Sequence, residues 1–368
     1  MPGINDLLHD AFLSHQVDLQ QYSTGVVRQI VGLLNKVDAD LVAQLQVALA
    51  DTTPDTFKVS RLEQQLAAVR AINQQAYQMS LQALAGELRL FAEAEADWNN
   101  LIYQMASPTR VVPNFVRIEA AQVYAAATEN PFRGRLLSQW SQSLSDRSTD
   151  QLRDAVAIGY TEGQTTSQII GRIRGTKAAG YADGVLQMRR RDAEAVARTA
   201  VSHLAQTARS EVERNNRDLI KAVKWVSTLD GRTTPECRLR DGKLFTPEEH
   251  KPVGHKVPWL EGPGRLHWRC RSTSVPVLKS FRDLGLDMDE PNGTRASEGG
   301  QVAADVSYGD WLKAQSAARQ DEILGPTRGK LMREGKMPFD SFYTDRGIYM
   351  TLDQLRARNA AAFKRAGL

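Results

Sequence analysis

Residues 221–245 read KAVKWVSTLDGRTTPECRLRDGKLF, and here the texture of the chain changes from helical to extended. Val223, Trp225 and Ser227 alternate with Ala222, Lys224 and Val226, the period of a strand. Asp230-Gly231 is a turn signal, Gly242–Phe245 suits a second short strand, and Arg271–Val277 suits a third. Between the last two lies Thr246–Arg269, an irregular stretch with four prolines, three glycines and three histidines. A loop of that length signals either function or an internal tether such as a metal ion.

Upstream the chain reads as helix. From Asp55 to Ser107 the only glycine or proline is Gly86, and Leu62, Leu66, Val69, Ile72, Tyr77, Leu81 and Leu84 fall at helical spacing. Further helices are expected over about 26–50, 114–128, 132–145 and 149–163, with Pro113 and Pro131 at helix starts. Thr165 can cap a short helix ending near Arg174, and a long helix follows from about Met188 to Asn216. The fold class is therefore α+β: a mostly helical N-terminal half, a small mixed α+β module and a short helical C-terminal tail. The expected division is 1–188 as a helical interaction domain that docks on other proteins, 189–287 as the module, 288–303 as a linker and 304–368 as the tail. In that tail Thr351 is placed to cap a last helix over 352–365. On this division residues 189–368 are expected to fold alone.

Composition narrows the function classes. Two cysteines in 368 residues exclude a disulfide framework and fit a reducing compartment. No apolar run approaches the ~20 residues of a membrane span. The opening MPGINDLLHD has no basic and apolar leader, so synthesis and use in a cytoplasm are expected. Charge is uneven: residues 189–280 carry 19 Lys and Arg against 11 Asp and Glu, whereas residues 1–188 carry 15 against 19. The middle block is the candidate for nucleic-acid contact. Arg189, Arg190 and Arg191 are its densest run, read either as phosphate contacts or as a solvated helix start. No Gly-rich phosphate loop, Ser/His/Asp order, metalloprotease motif or paired carboxylates stand out, so no catalytic residue is assigned.

The sharpest local pattern is Asp230-x-Arg232-Thr233-x-x-x-Cys237-x-x-x-x-Gly242, followed by Leu266-His267-Trp268-Arg269-Cys270-Arg271. It stands behind a helix carrying Ala197-Arg198-Thr199 and the strand that holds Trp225. In this order the chain resembles the phage Mu gpF-like head-morphogenesis family, and the resemblance spans roughly residues 190–355. Tyr308–Leu312, Leu324–Arg328 and Thr351–Leu355 resemble segments that follow the domain in that family. Two departures stand out. Ser272 occupies the place where the family pattern has a last cysteine, and Gly264-Arg265-Leu266 precedes His267 where a Pro-Pro pair is common.

The resemblance implies a minor capsid protein of a tailed bacteriophage, acting in prohead assembly near the portal and in DNA packaging or ejection. Its partners would be the portal protein and the major capsid or scaffold proteins, with non-specific DNA contact. It would be found in the virion, inside the head or at the portal, and in the host cytoplasm during assembly. The rival from another class is a phage-encoded nuclease or toxin-like enzyme packaged in the head.

The chemistry of the motif leaves three readings open. Cys237, His267 and Cys270 supply three zinc ligands, which His250, or else His255, would complete to a tetrahedral set. The two cysteines could instead form a disulfide, or all three residues could be buried packing. Asp230 and Arg232 read as a self-braced turn joined by a charge-assisted hydrogen bond, with Thr233 and Gly242 part of the same structural motif. His203 reads as a satisfied core histidine, and Trp225, Trp268 and Trp311 as core anchors.

Overall fold

A computed structural model describes residues 4–106, 115–279, 294–303 and 306–368. In chain order the first helices are α1 (Ile4–Ala48), α2 (Val59–Gln65), α3 (Ala67–Ala106), α4 (Ala120–Glu129), α5 (Leu137–Thr161), α6 (Thr166–Arg174) and α7 (Val185–Asn215). Strand β1 (Ile220–Val226) leads to α8 (Pro235–Arg240), β2 (Leu244–Phe245), β3 (Pro252–Val253) and β4 (Thr273–Leu278). A hairpin of β5 (Thr294–Ser297) and β6 (Gly300–Ala303) precedes α9 (Tyr308–Lys313), α10 (Ala317–Leu324), α11 (Pro326–Arg333), α12 (Leu352–Arg358) and α13 (Ala360–Arg365). The mostly helical α+β class expected from the sequence is what the structure has. Among the described residues no helix is long and apolar enough to cross a membrane.

Details differ where the sequence carried weak breaks. The two helices expected over 132–145 and 149–163 are one, α5, and Pro131 opens a tight turn closed by Phe132 and Arg135 rather than a helix. Thr165 and Thr351 cap α6 and α12 as expected, each in a capping box with a glutamine three residues on. The last helix is split at Asn359, whose side chain caps α13. Residues 294–303, assigned to the linker, pair as the β5–β6 hairpin. Pro113, and residues 288–293 of the expected linker, lie outside the described residues.

The chain forms two compact units that cut across the boundaries suggested by composition. One unit comprises Leu19–Ala94 and Ala120–Leu204 and is helical. Its core joins Leu41, Leu45 and Leu66 to Leu152, Val156, Ile169 and Ile173. His203 is satisfied there, its Nε2 lying 2.9 Å from the Ala127 carbonyl.

The other unit comprises Met1–Asp18, Glu95–Glu119 and Ala205–Leu368. It holds an antiparallel sheet in the order β3-β2-β1-β4, with Val223 opposite Phe245 on one side and Pro276 on the other. Pro276 has no N–H to donate and is tolerated because β4 is an edge strand. Asn5 covers that strand's end, its side chain accepting from the Leu278 N–H at 2.8 Å. Gln206 and Arg209 of α7 hydrogen-bond the Ser274 and Thr273 hydroxyls. The tail is part of this unit: Trp311, Leu324, Leu331 and Phe342 share one core with Leu229, Leu239 and Val257.

Two predictions follow from the second unit. A chain beginning at residue 189 lacks Phe12, a fully buried ring set edge-on to Trp98 and Tyr103 and covered by the Arg209 guanidinium. Contrary to the division above, it is expected to lose cooperative urea unfolding, and a sharp two-state transition for that fragment would refute this. The second concerns Glu213, which burial pushes up to about 8 despite the Arg209 charge and the Tyr103 hydroxyl. Between the ordinary carboxylate value and pH 8 the folded state keeps a proton that the unfolded chain releases. Stability should therefore fall as pH rises through that window, by an amount on the order of a few kcal/mol. Glu213→Gln should flatten the pH profile of the denaturation midpoint between pH 5 and 8.

Candidate metal centre

The site is built on residues 221–245 and the loop that follows them. Pro235 starts α8 at its first turn, where the missing N–H costs nothing, and the helix presents Cys237 inward. Gly242, at φ +76°, turns the chain back into β2 and donates its N–H to the Trp225 carbonyl at 2.8 Å. The loop from Thr246 then returns to β4 and brings His267 and Cys270 to Cys237. Trp225, Phe245, Trp259 and Leu266 pack around the two cysteines. Trp259 meets Trp225 and Phe245 edge-on, with centroids 5.2 and 4.8 Å apart.

Cys237 Sγ lies 3.7 Å from Cys270 Sγ and 3.3 Å from His267 Nε2, and the three ligand atoms fall within 4.8 Å of one another. Both cysteines are free and buried; a disulfide would bring the sulfurs to about 2.05 Å. A tetrahedral ion with bonds of ~2.3 Å to sulfur and ~2.0 Å to nitrogen sets its ligands roughly 3.5–3.8 Å apart. The observed spacings are close to those edges, so the cluster can hold a metal ion.

The histidine is already oriented for it. His267 Nδ1 lies 3.0 Å from the Trp268 carbonyl; donation there leaves the Nε2 lone pair toward the sulfurs, the usual support for a ligating imidazole. The hydrogen bond from Cys237, with help from His267 and against burial, pulls the Cys270 thiol well below its ordinary value. The same bond, with burial and the Cys270 charge, pushes Cys237 well above its own. Cys270 is thus the more readily ionised thiol of the pair, and the thiolate is the form that binds metal. Burial opposes a charge on His267, but Cys270, the Trp268 carbonyl and Glu236 together outweigh it and raise the imidazole pKa.

Neither spare histidine joins the cluster. His250 lies flat on Trp259, centroids 4.3 Å apart, and burial with the nearby Arg265 and Arg214 lowers its pKa to about 4. His255 contacts the Leu244 carbonyl through Nε2 at 2.8 Å and accepts from the Val257 N–H through Nδ1. The expectation that His250 completes the set is corrected: its ring is taken up by the aromatic wall.

The Asp230 turn is braced, by a partner the sequence reading missed. Arg271 donates two hydrogen bonds to its carboxylate, at 2.6 and 2.8 Å, and the Arg232 and Thr233 N–H groups donate to the same carboxylate at 3.0 Å. The Arg232 side chain is 84% exposed and no closer than 3.7 Å, so the expected Asp230–Arg232 bond is replaced by a buried-side bidentate pair. Burial works against ionisation of Asp230, yet Arg271 and these donors win and lower its pKa. Thr233 also donates to the Thr228 carbonyl. Ser227 ties the two ligand segments, donating to the Cys237 carbonyl at 2.8 Å and lying 3.2 Å from the Ser272 hydroxyl.

Part of the basic block is internal. Arg189 is 1% exposed, pairs with Asp38 at 3.1 Å and lies over Tyr77. Arg190 bonds Asn35 and Asp38. Burial and the Asp38 pair withdraw Arg189 from phosphate contact, Arg190 is partly buried in the same pairing, and Arg191 is exposed. Arg209, Arg238 and Arg240 are buried too. Trp225 and Trp311 are core anchors, but Trp268 is 36% exposed and is not.

Residues 150–275 match the model of the family described as Phage Mu protein F like protein. The chain carries a phage Mu F-like domain. The match bears out the family resemblance over a different span from the one read in the sequence. It starts inside α5, takes in α6 and α7, ends in β4 and includes all three cluster residues. The tail segments from Tyr308 onward lie outside it. No curated protein and no solved structure gives a significant match. The Mu F-like domain supports a role in phage head morphogenesis in general.

The Asp230 pair gives a discriminating test. Asp230→Asn leaves Arg271 without its carboxylate and should cost about 1.5–3 kcal/mol, as for bonds to charged groups. Arg232→Ala, at the surface, should stay within about 0.5 kcal/mol. Because the Asp230 pKa is lowered on folding, its contribution is present above the ordinary carboxylate value and lost as pH falls below it. Equal denaturation midpoints for the two variants at pH 7 would contradict this assignment.

Proposed function

We propose that this chain is a minor capsid protein of a tailed bacteriophage, acting in prohead assembly near the portal. Its partners are the portal protein and the major capsid or scaffold proteins, in the host cytoplasm during assembly and afterwards in the head. The observation that carries this reading is the Mu F-like match over residues 150–275. The helical unit of Leu19–Ala94 and Ala120–Leu204 is the part assigned to docking on those partners. Within the domain, Cys237, His267 and Cys270 hold zinc, which closes the loop Thr246–Arg269 onto α8. Zinc is the metal favoured by two thiolates and an imidazole.

Two measurements test this. Mass spectrometry of purified proheads should find the chain at a few copies per head, and its absence from every head intermediate would refute the assembly role. Protein purified without a histidine tag should contain close to one zinc per chain. Cys237→Ser, Cys270→Ser and His267→Ala should then lower the melting temperature to a similar degree, since losing any one ligand opens the site. A metal-free protein whose melting is indifferent to chelators would leave the three residues as packing.

A further inference from the structure

A tetrahedral ion needs a fourth ligand, and among the described residues no fourth His, Cys, Asp or Glu joins the Cys237–His267–Cys270 group. His255 has both ring nitrogens engaged. His250 is stacked on Trp259, its Nε2 buried without a hydrogen-bond partner but outside the cluster. What borders the cluster instead is a pair of hydroxyls. Thr234 Oγ1 lies 3.1 Å from His267 Nε2, and the Ser272 side chain hydrogen-bonds Cys237 while resting 3.2 Å from Ser227 Oγ. The cysteines are 1% exposed, but Thr234 and His267 are only half-buried, and Trp268 and Arg269 beside them are exposed. The cluster therefore lies nearest the surface on its His267 side, away from the core.

We propose that the metal takes three ligands from the protein and that its fourth position holds a water molecule beneath the Thr234 hydroxyl, exchangeable for a small nitrogen base. The inference rests on the metal reading above. Three protein ligands with a solvent in the fourth position is the arrangement of open zinc sites, whereas purely structural sites are closed by four side chains. Thr234 can donate to a metal-bound oxygen or accept from it, since a hydroxyl does both. The site would thus combine a loop tether with an accessible Lewis-acid position.

Cobalt(II) separates the two claims. The metal-free full-length protein is titrated with cobalt, and the sulfur-to-cobalt charge-transfer absorption reports thiolate ligation. If that band never forms, the metal reading falls and this inference with it. If it forms, imidazole is added: the visible cobalt bands are expected to shift while the charge-transfer band persists, because the base replaces water and not sulfur. A formed charge-transfer band with no response to imidazole means four protein ligands, and overturns the open position while leaving metal binding intact. His250→Ala is expected to keep the wild-type cobalt spectrum and the imidazole shift. A changed spectrum in that variant, together with an absent imidazole response in the wild type, would identify His250 as the fourth ligand and overturn the proposal.

Discussion

The carboxylate of Asp230 joins the two stretches of chain that carry the cysteines, and the geometry of the domain follows from that junction. Arg271, next to Cys270, grips it bidentately, while the N–H groups of the turn leading to Cys237 donate to it from the other side. The Asp230 backbone carbonyl accepts from the Tyr308 hydroxyl at 2.9 Å, which adds the tail to the same junction. A charged, bidentate bond fixes direction as well as distance. This one therefore sets the approach of β4 to α8 and with it the separation of the two sulfurs. Ser227 repeats the arrangement one layer deeper, between the Cys237 carbonyl and Ser272.

Arginine does similar work throughout this unit. Arg238 donates to the Ile323 and Gly231 carbonyls and lies over the Tyr308 ring. Arg240 donates to the Pro258 and Glu236 carbonyls beneath Trp225. A loop-rich domain with short strands leaves many carbonyls without ladder partners, and each would be costly if buried unpaired. The planar guanidinium fork reaches two such carbonyls in a fixed geometry while stacking on an aromatic face, a shape the lysine ammonium does not have. Part of the positive charge of this block is therefore spent inside, while Arg214, Arg217, Lys221, Lys251 and Lys256 remain exposed.

The same fact explains what the sequence could and could not disclose. The strand at Trp225, the cap at Thr165 and the convergence of Cys237, His267 and Cys270 were legible, because each depends on local pattern or on a spacing that marks the family. The role of Arg271 was not, since its partner lies 41 positions away and the nearer Arg232 offered an equally plausible bond. Nor was the assignment of Met1–Asp18 and Glu95–Glu119 to the sheet-bearing unit. α1, α3 and α7 each contribute to both units, and helical periodicity says which face is buried but not against what. His250 failed as a ligand for a related reason: Trp259, nine residues on, gave its ring an apolar partner that no metal-ligand spacing would reveal.

A tether at the end of the loop has a physical reason, because the loop has little regular structure of its own. Between β2 and β4 the only described regular element is the two-residue strand β3. Ordering each loop residue costs roughly 1–2 kcal/mol of backbone entropy. The aromatic wall of Trp259, Phe245 and His250 anchors the middle of the loop, and Arg240 holds it at Pro258. Its C-terminal end, where Arg269 adopts the left-handed φ of +57°, has the cluster. An ion there would bind α8 on one side and two ligands of the loop end on the other. It would thereby convert the Cys237 helix, the loop and β4 into one rigid piece whose exposed border is Trp268 and Arg269.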